Sequence, residues 1–158
     1  MQERVGEDNI NFKIIKFRTM KPGSDKKGLL TIGDKDNRVT KIGYFLRKYK
    51  LDELPQLINI LKGDMSFVGP RPEVRKYVDL YNKNQMKVLT VKPGLTDYSS
   101  IEYINESEIL KISDNPEKTY IEQVMPKKLE LNLFYINNQS FKNDIKIILN
   151  TIKKIISK

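Results

Sequence analysis

Two adjacent carboxylates, Asp52 and Glu53, follow the cationic run Arg47, Lys48 and Lys50, and a rigid Pro70-Arg71-Pro72 triplet lies less than twenty residues further on. Paired acids in a basic neighbourhood suit three kinds of chemistry. In glycoside hydrolysis two carboxyl groups flank the substrate at ~5 Å or more. Adjacent residues at a helix start point roughly 100° apart, so this pair is a poor match. Metal-assisted phosphoryl chemistry fits better, with one carboxylate attacking phosphorus or binding magnesium while cations hold a diphosphate. The third reading makes the pair a helix cap and the basic surroundings a nucleic-acid surface.

Arg71 strengthens the phosphoryl reading. Prolines on both sides restrict its backbone, so it loses little freedom on meeting an anion. Lys16 and Arg18, in the run FKIIKFRTM (12–20), supply a mobile point charge and a bidentate fork of the kind phosphates take. Asp25, Asp34, Asp36 and Asp64 are acidic residues with no assigned role.

The elements that must position these groups follow from periodicity. Residues 10–20 alternate partly between apolar and polar and predict a short strand, while the first residues, MQERVG, read as a charged turn with no element before it. Residues 21–37, rich in Gly, Pro, Asp and Lys, predict a long irregular connection. In 39–50 the recurrence of Ile42, Phe45, Leu46 and Tyr49 predicts a basic amphipathic helix with Thr40 as its cap. Pro55 belongs only in a first helical turn, which puts Asp52 and Glu53 at that helix's N-terminus. The dipole and free amides there favour ionised carboxylates. Leu54, Leu57, Ile58 and Leu61 are expected to be its buried face, with Gly63 as the stop and Met65, Phe67 and Val68 buried beyond it.

Further along, 73–91 predicts a helix broken near Asn82–Asn84, packing through Val74, Tyr77, Val78 and Tyr81. Lys92-Pro93-Gly94 is a tight turn, and 101–111 passes from irregular chain into a short helix. Another helix starts at Asn115-Pro116 or at Asp114 and is kinked or restarted at Pro126. The last, capped by Ser140, carries Ile145, Ile148, Leu149, Ile152, Ile155 and Ile156 on one face and lysines on the other. Core packing, a partner helix and an anionic lipid surface are all open to it.

Composition sets the boundaries. The 158 residues suit one domain with a moderate core, 39% of them apolar and 31% charged. The net charge of +9 favours anionic partners. With neither cysteine nor histidine, disulfides, Cys/His zinc sites and histidine triads are excluded, so any metal must be a hard cation such as Mg2+ held by oxygen. No apolar run approaches the ~18 residues of a membrane span. There is no P-loop, dinucleotide fingerprint or complete nucleic-acid motif.

Taken together, QERVG (2–6), FKIIKFRTM (12–20), VTKIGYFLRKYKLDELPQLINILKGDMSFVGPRPE (39–73) and VKPGLTDYSS (91–100) resemble the bacterial sugar transferases, monotopic phosphoglycosyl transferases that begin polysaccharide or glycan assembly on polyprenyl phosphate. The resemblance continues more loosely to the C-terminus. It implies an α+β fold, a mostly helical single domain (1–158) with a small β element. It also implies a two-step reaction. Asp52 attacks the sugar-linked phosphate of a UDP-sugar, releasing UMP, and polyprenyl phosphate then takes the phosphosugar. Glu53 assists acceptor activation or orders the site, Mg2+ binds near Asp52, and Arg71, Lys16 and Arg18 contact phosphate.

In this family a hydrophobic re-entrant segment precedes QERVG on the cytoplasmic side of the inner membrane. Its absence is expected to mark a fragment, soluble or peripheral, whose charge suits an anionic leaflet. A homo-oligomer is compatible with the pattern, and nucleic acid is not an expected partner. The alternatives are a basic nucleic-acid-binding module or a non-catalytic domain of the same fold. Many relatives carry Thr-Gly-Trp-Ala and a Gln-Val-Asn-Gly-like run where this chain has Thr96-Asp97-Tyr98-Ser99-Ser100, so the sugar stays open.

Overall fold

The computed structural model describes residues 2–24, 30–33 and 36–157. Asp25 and Asp34 lie outside the described residues.

The first residues form a strand, not the isolated charged turn expected. β1 (Gln2–Val5) pairs antiparallel with β2 (Asn11–Ile14), with Arg4 opposite Phe12. The connection turns through left-handed backbone at Asp8 and Asn9, residue types that tolerate that region. The predicted strand over 10–20 therefore ends at Ile14, and Lys16 to Arg18 continue without ladder partners of their own.

α1 (Lys41–Lys48) begins where expected, with Thr40 Oγ1 accepting from the Gly43 amide at 2.9 Å. Gly43 lies flat on the Thr19 carbonyl, where a Cβ would come within 2.1 Å of oxygen, so only glycine lets α1 pack this closely. Lys50 then reverses the chain in left-handed backbone (φ 56°) and opens a 3-10 turn over Leu51–Gln56, which runs into α2 (Leu57–Lys62). Gly63 stops α2 in left-handed backbone, as its position predicts.

Leu54, Leu57, Ile58 and Leu61 do not form the buried face expected, and the apolar residues of α1 are likewise turned outward. Ile42, Tyr44, Phe45, Leu54, Leu57, Ile58 and Leu61 are exposed, Leu61 by 88%. The buried side chains of this stretch are polar ones: Asp52, Glu53, Gln56 and Asn59. α2 turns its polar side inward because that side binds main chain. Asn59 accepts from Ile15 N at 2.9 Å and donates to Lys13 O at 2.9 Å and to Asp64 Oδ2 at 3.1 Å.

β3 (Ser66–Val68) and β4 (Gly94–Thr96) pair in parallel, Ser66 opposite Gly94 and Val68 opposite Thr96. Met65 and Val68 are buried, whereas Phe67, on the other face of the pleat, is exposed. Just beyond β3, Gly69 and Gly94 touch back to back, so that a Cβ on Gly94 would stand 2.1 Å from Gly69 N. This contact, with the Gly94 amide donating to Pro70 O at 2.9 Å, pins the Pro70-Arg71-Pro72 turn to β4.

The remaining helices build the core. α3 (Arg75–Val78), α4 (Tyr98–Glu102), α5 (Glu106–Lys111) and α6 (Pro116–Thr119) are short. From α6 the chain passes through a widened π turn over Tyr120–Val124 into α7 (Met125–Asn137). Pro126 has no amide hydrogen and its ring crowds the carbonyl four residues back, which is the demand a π turn relieves. Tyr77, Val88, Leu110, Tyr120, Val124, Met125 and Leu129 make the main core, and Val68, Tyr135 and Ile147 a second.

α8 (Phe141–Ile156) is capped by Ser140 as expected, and it packs through Ile147 and Ile148. Thr151 meets Thr96 hydroxyl to hydroxyl at 2.6 Å. Phe141, Ile145, Leu149, Ile152 and Ile156 form a stripe left exposed, so core packing accounts for only part of this helix's apolar surface. Among the described residues no helix is long and apolar enough to cross a membrane.

Candidate active site

Asp52 and Glu53 sit in the first turn of the 3-10 segment, 6% and 9% exposed. Glu53 is gripped by Arg71 through both forks of the guanidinium: Nη1 donates to Oε2 at 3.1 Å and Nη2 donates to Oε1. Burial works against ionisation of Glu53, but Arg71, Lys50 and Lys16 outweigh it and hold the carboxyl down at about 2. The same carboxylate raises the Arg71 guanidinium above its ordinary value.

Asp52 behaves oppositely. Burial first, and the neighbouring Glu53 charge second, raise its pKa above the ordinary aspartate value, against Lys16, Lys50 and Arg47. Its Oδ1 is buried and accepts no hydrogen bond. A carboxylate oxygen left without a donor is costly in a folded protein, and such exceptions concentrate at reacting or ligand-binding atoms.

Lys16 reaches the pair because the segment that carries it, just beyond β2, is bonded to the turn and to α2. Asn59 clamps Lys13 and Ile15, and Phe17 N donates to the main-chain carbonyl of Asp52 at 3.0 Å. Burial, followed by the Arg71 and Arg4 charges, lowers the Lys16 ammonium to about 8. Arg18, two residues on and expected among the phosphate-binding cations, is exposed and is not among the residues that line the same cavity.

Asp52, Glu53, Arg71 and Lys16 all line one cavity of about 510 Å3. Arg47 of the cationic run also lines it, as does Arg4, which sequence reasoning missed. Arg4 comes from β1, and the signal that places it is the hairpin spacing of QERV and NFKI about a Gly-Glu-Asp-Asn turn. Arg47 belongs to the cationic run noted beside the acid pair, and its guanidinium donates to Thr19 Oγ1 at 2.8 Å and Thr31 Oγ1 at 3.2 Å. Beyond the cations, Tyr120 donates its hydroxyl to Glu73 Oε2, and the Lys128–Glu106 pair stands at 2.7 Å. Asp36 is paired with Arg38 at 2.6 Å and takes no part.

Among the described residues no three acidic side chains cluster as a metal site. The donor set instead offers the carboxylate of Asp52, whose buried Oδ1 has no hydrogen-bond partner, with Glu53 committed to Arg71. That fits magnesium, which is commonly bound by one or two carboxylates and completed by substrate phosphates and water. It does not fit an all-protein cage.

A sequence profile for the family described as Bacterial sugar transferase matches residues 1–158, the whole chain. The chain belongs to the bacterial sugar transferase family. Curated relatives agree. The chain is 36% identical over 99% of its length to the UDP-N-acetylgalactosamine-undecaprenyl-phosphate N-acetylgalactosaminephosphotransferase of Aeromonas hydrophila, covering 35% of that protein. To the uncharacterized sugar transferase EpsL of Bacillus subtilis it is 39% identical over 98% of its length, covering 68% of the relative. To the UDP-glucose:undecaprenyl-phosphate glucose-1-phosphate transferase of Escherichia coli it is 38% identical over 97%, covering 31%. The chain thus spans about a third of the length of two of these relatives and about two thirds of EpsL. The matched residues include the Asp52–Glu53 turn, Arg71 and Lys16.

Proposed function

We propose that this sugar transferase moves a sugar 1-phosphate from a UDP-sugar to polyprenyl (undecaprenyl) phosphate. The observation that carries the proposal is Asp52, its buried Oδ1 unpartnered, lining one cavity with Arg4, Lys16, Arg47 and Arg71. A carboxylate nucleophile with cations to receive a diphosphate is the constellation that phosphoryl transfer needs.

In the first step a carboxylate oxygen of Asp52 attacks the sugar-bearing phosphorus. The bond from that phosphorus to the bridging oxygen breaks, and its electrons leave with UMP. In the second step an oxygen of polyprenyl phosphate attacks the same phosphorus and displaces Asp52, giving polyprenyl-diphospho-sugar and the free carboxylate. Lys16, Arg4 and Arg47 are the cations placed to hold the diphosphate. Arg71 is committed to Glu53, so its main task is to fix that carboxylate. Glu53, held ionised by that grip, is a weak proton acceptor and serves to order the turn that carries Asp52. Magnesium, when bound at the carboxylate of Asp52, would neutralise charge developing on the diphosphate oxygens.

Access to a polyprenyl acceptor calls for a membrane surface. Support comes from the exposed apolar residues of α1 and α2 with Lys41, Lys48 and Lys62 among them, and from the exposed stripe on α8 with its lysines. We place the protein on the cytoplasmic, anionic leaflet on that basis.

The test uses the full chain in nanodiscs with polyprenyl phosphate, magnesium and a panel of UDP-sugars. UMP appears with one or a few sugars, and acid quenching traps the phosphosugar on Asp52. The substitution Asp52→Asn lowers UMP release by about 10^3-fold or more, on the order of losing a nucleophile. Unchanged release in that variant would refute the assignment.

A further inference from the structure

Four buried side-chain atoms among the described residues lack a hydrogen-bond partner: Asp52 Oδ1, Gln56 Nε2, Ser100 Oγ and Asn132 Oδ1. Three of these residues, Asp52, Ser100 and Asn132, line the same cavity. Asp52 has a use in the reaction just described. Ser100 and Asn132 have none.

Their placement is built. Asp97, fully buried, caps α4: its Oδ1 accepts from Ser100 N at 2.7 Å and its Oδ2 from Ser99 Oγ at 2.5 Å. Both bonds set the rotation of the first turn of α4, which packs against α7, where Asn132 is 5% exposed. A buried polar atom without a partner costs free energy unless something supplies the missing bond. Two such atoms, on residues of packed helices that line one cavity, describe a polar ligand.

The groups select its class. A serine hydroxyl both donates and accepts, whereas an amide oxygen only accepts, so the matching ligand must carry its own hydrogen donors. An ionised phosphate carries none. Lys128, on α7 with Asn132, is already paired with Glu106. Tyr103 adds an aromatic wall. A neutral ring with several hydroxyl groups meets all of these conditions.

We propose that Ser100 on α4 and Asn132 on α7 form a subsite that hydrogen-bonds a hydroxyl-rich ring of the nucleotide-sugar donor. The inference rests on the reading of the cavity as a UDP-sugar site. Such a ring has two sources, the transferred sugar and the ribose, and the same experiment separates them.

Binding of UDP and of UDP-glucose, UDP-galactose, UDP-N-acetylglucosamine and UDP-N-acetylgalactosamine is measured by calorimetry on the full chain in nanodiscs. Asp52→Asn is present throughout, so that turnover does not interfere. Ser100→Ala and Asn132→Leu are each expected to weaken the best-bound UDP-sugar about 5- to 10-fold, the worth of one hydrogen bond. Unchanged UDP affinity then identifies the sugar, and an equal loss for UDP identifies the ribose. Either supports the subsite. Both variants should also melt at the same temperature as the parent or higher, because each removes an unsatisfied buried atom. Unaltered affinity for every ligand, no binding of any UDP-sugar, or lowered melting in both variants overturns the proposal. Failure of the transfer reaction is seen separately, as absence of UMP release by the unsubstituted protein.

Discussion

Arg71 and Glu53 are joined through both guanidinium nitrogens and both carboxylate oxygens, across eighteen residues of chain. The pair ties the Pro70-Arg71-Pro72 turn, itself anchored to β4, to the turn that carries Asp52. Removing Arg71 leaves a buried charge without its partner. We expect Arg71→Met to destabilise the fold by about 2–4 kcal/mol, discounted because the guanidinium is partly solvated. Adding Glu53→Gln should return part of that loss, and a double-mutant cycle by urea denaturation should give a coupling of at least about 1 kcal/mol. Additive effects would show that the contact contributes nothing. The folded-state pKa of Glu53 lies below its ordinary value, so its stabilisation is fully present above pH 4.5 and is lost as pH falls toward about 2. The Glu53→Gln protein should lack this acid dependence.

Lys16 sets a limit on the alkaline side. Its ammonium is lowered to about 8 by burial and by Arg71 and Arg4, so the charge available to a diphosphate disappears above that pH. UMP release should fall above about pH 8, and Lys16→Arg, which stays charged, should move the fall upward. Lys16→Met should lower kcat/KM by about 10- to 100-fold. Because Lys16 is one of the charges opposing the raised pKa of Asp52, the same variant should also shift the acidic limb to higher pH. A pH profile identical in all three proteins would remove Lys16 from the site.

Asn59 acts on Lys16 from a distance. Its amide satisfies Ile15 N and Lys13 O in the segment leading to the lysine. Asn59→Ala strips partners from both main-chain groups and should cost about 2–3 kcal/mol by chemical denaturation. The loss in UDP-sugar affinity should follow that of Lys16→Met in direction. If stability drops while affinity holds, the clamp is purely structural.

The exposed apolar residues of α1 and α2 predict a surface effect. Leu61→Ser with Ile58→Ser removes large apolar groups that touch little of the core, so melting should change by less than about 1 kcal/mol in stability. Binding to vesicles containing anionic lipid should weaken several-fold. Equal binding of the variant and the parent would direct attention to α8.

Much of the frame was legible from residue types. Thr40, Asn115 and Ser140 each cap the helix they precede, and Gly63 ends one, because capping is a local matter of one side chain and a few amides. Periodicity located apolar faces correctly but could not say what they meet. The stripe of α2 reads as core until Asn59 and Gln56 take the inward positions, since a helix with main chain to satisfy on one side buries its polar residues there. The proximity of Lys16 to Asp52 was suggested by chemistry alone. It depends on the Phe17 amide reaching the Asp52 carbonyl, a contact between residues thirty-five apart that no local pattern encodes. Arg4 was lost for the related reason that its hairpin turns on Asp8 and Asn9 in left-handed backbone, a conformation without a strong sequence mark when glycine is not used.

The hydroxyl contact between Thr151 and Thr96 bears on how the molecule comes to exist. The parallel strands β3 and β4 are twenty-eight residues apart in register and are covered by α8, which is made much later on the ribosome. Parallel pairing across such separations is slow to form, because loop closure precedes any return in contacts. Until α8 arrives, the turn holding Arg71 lacks its backing. A nascent chain halted before α8 would therefore carry every charged residue of the Asp52 turn and still present no assembled site.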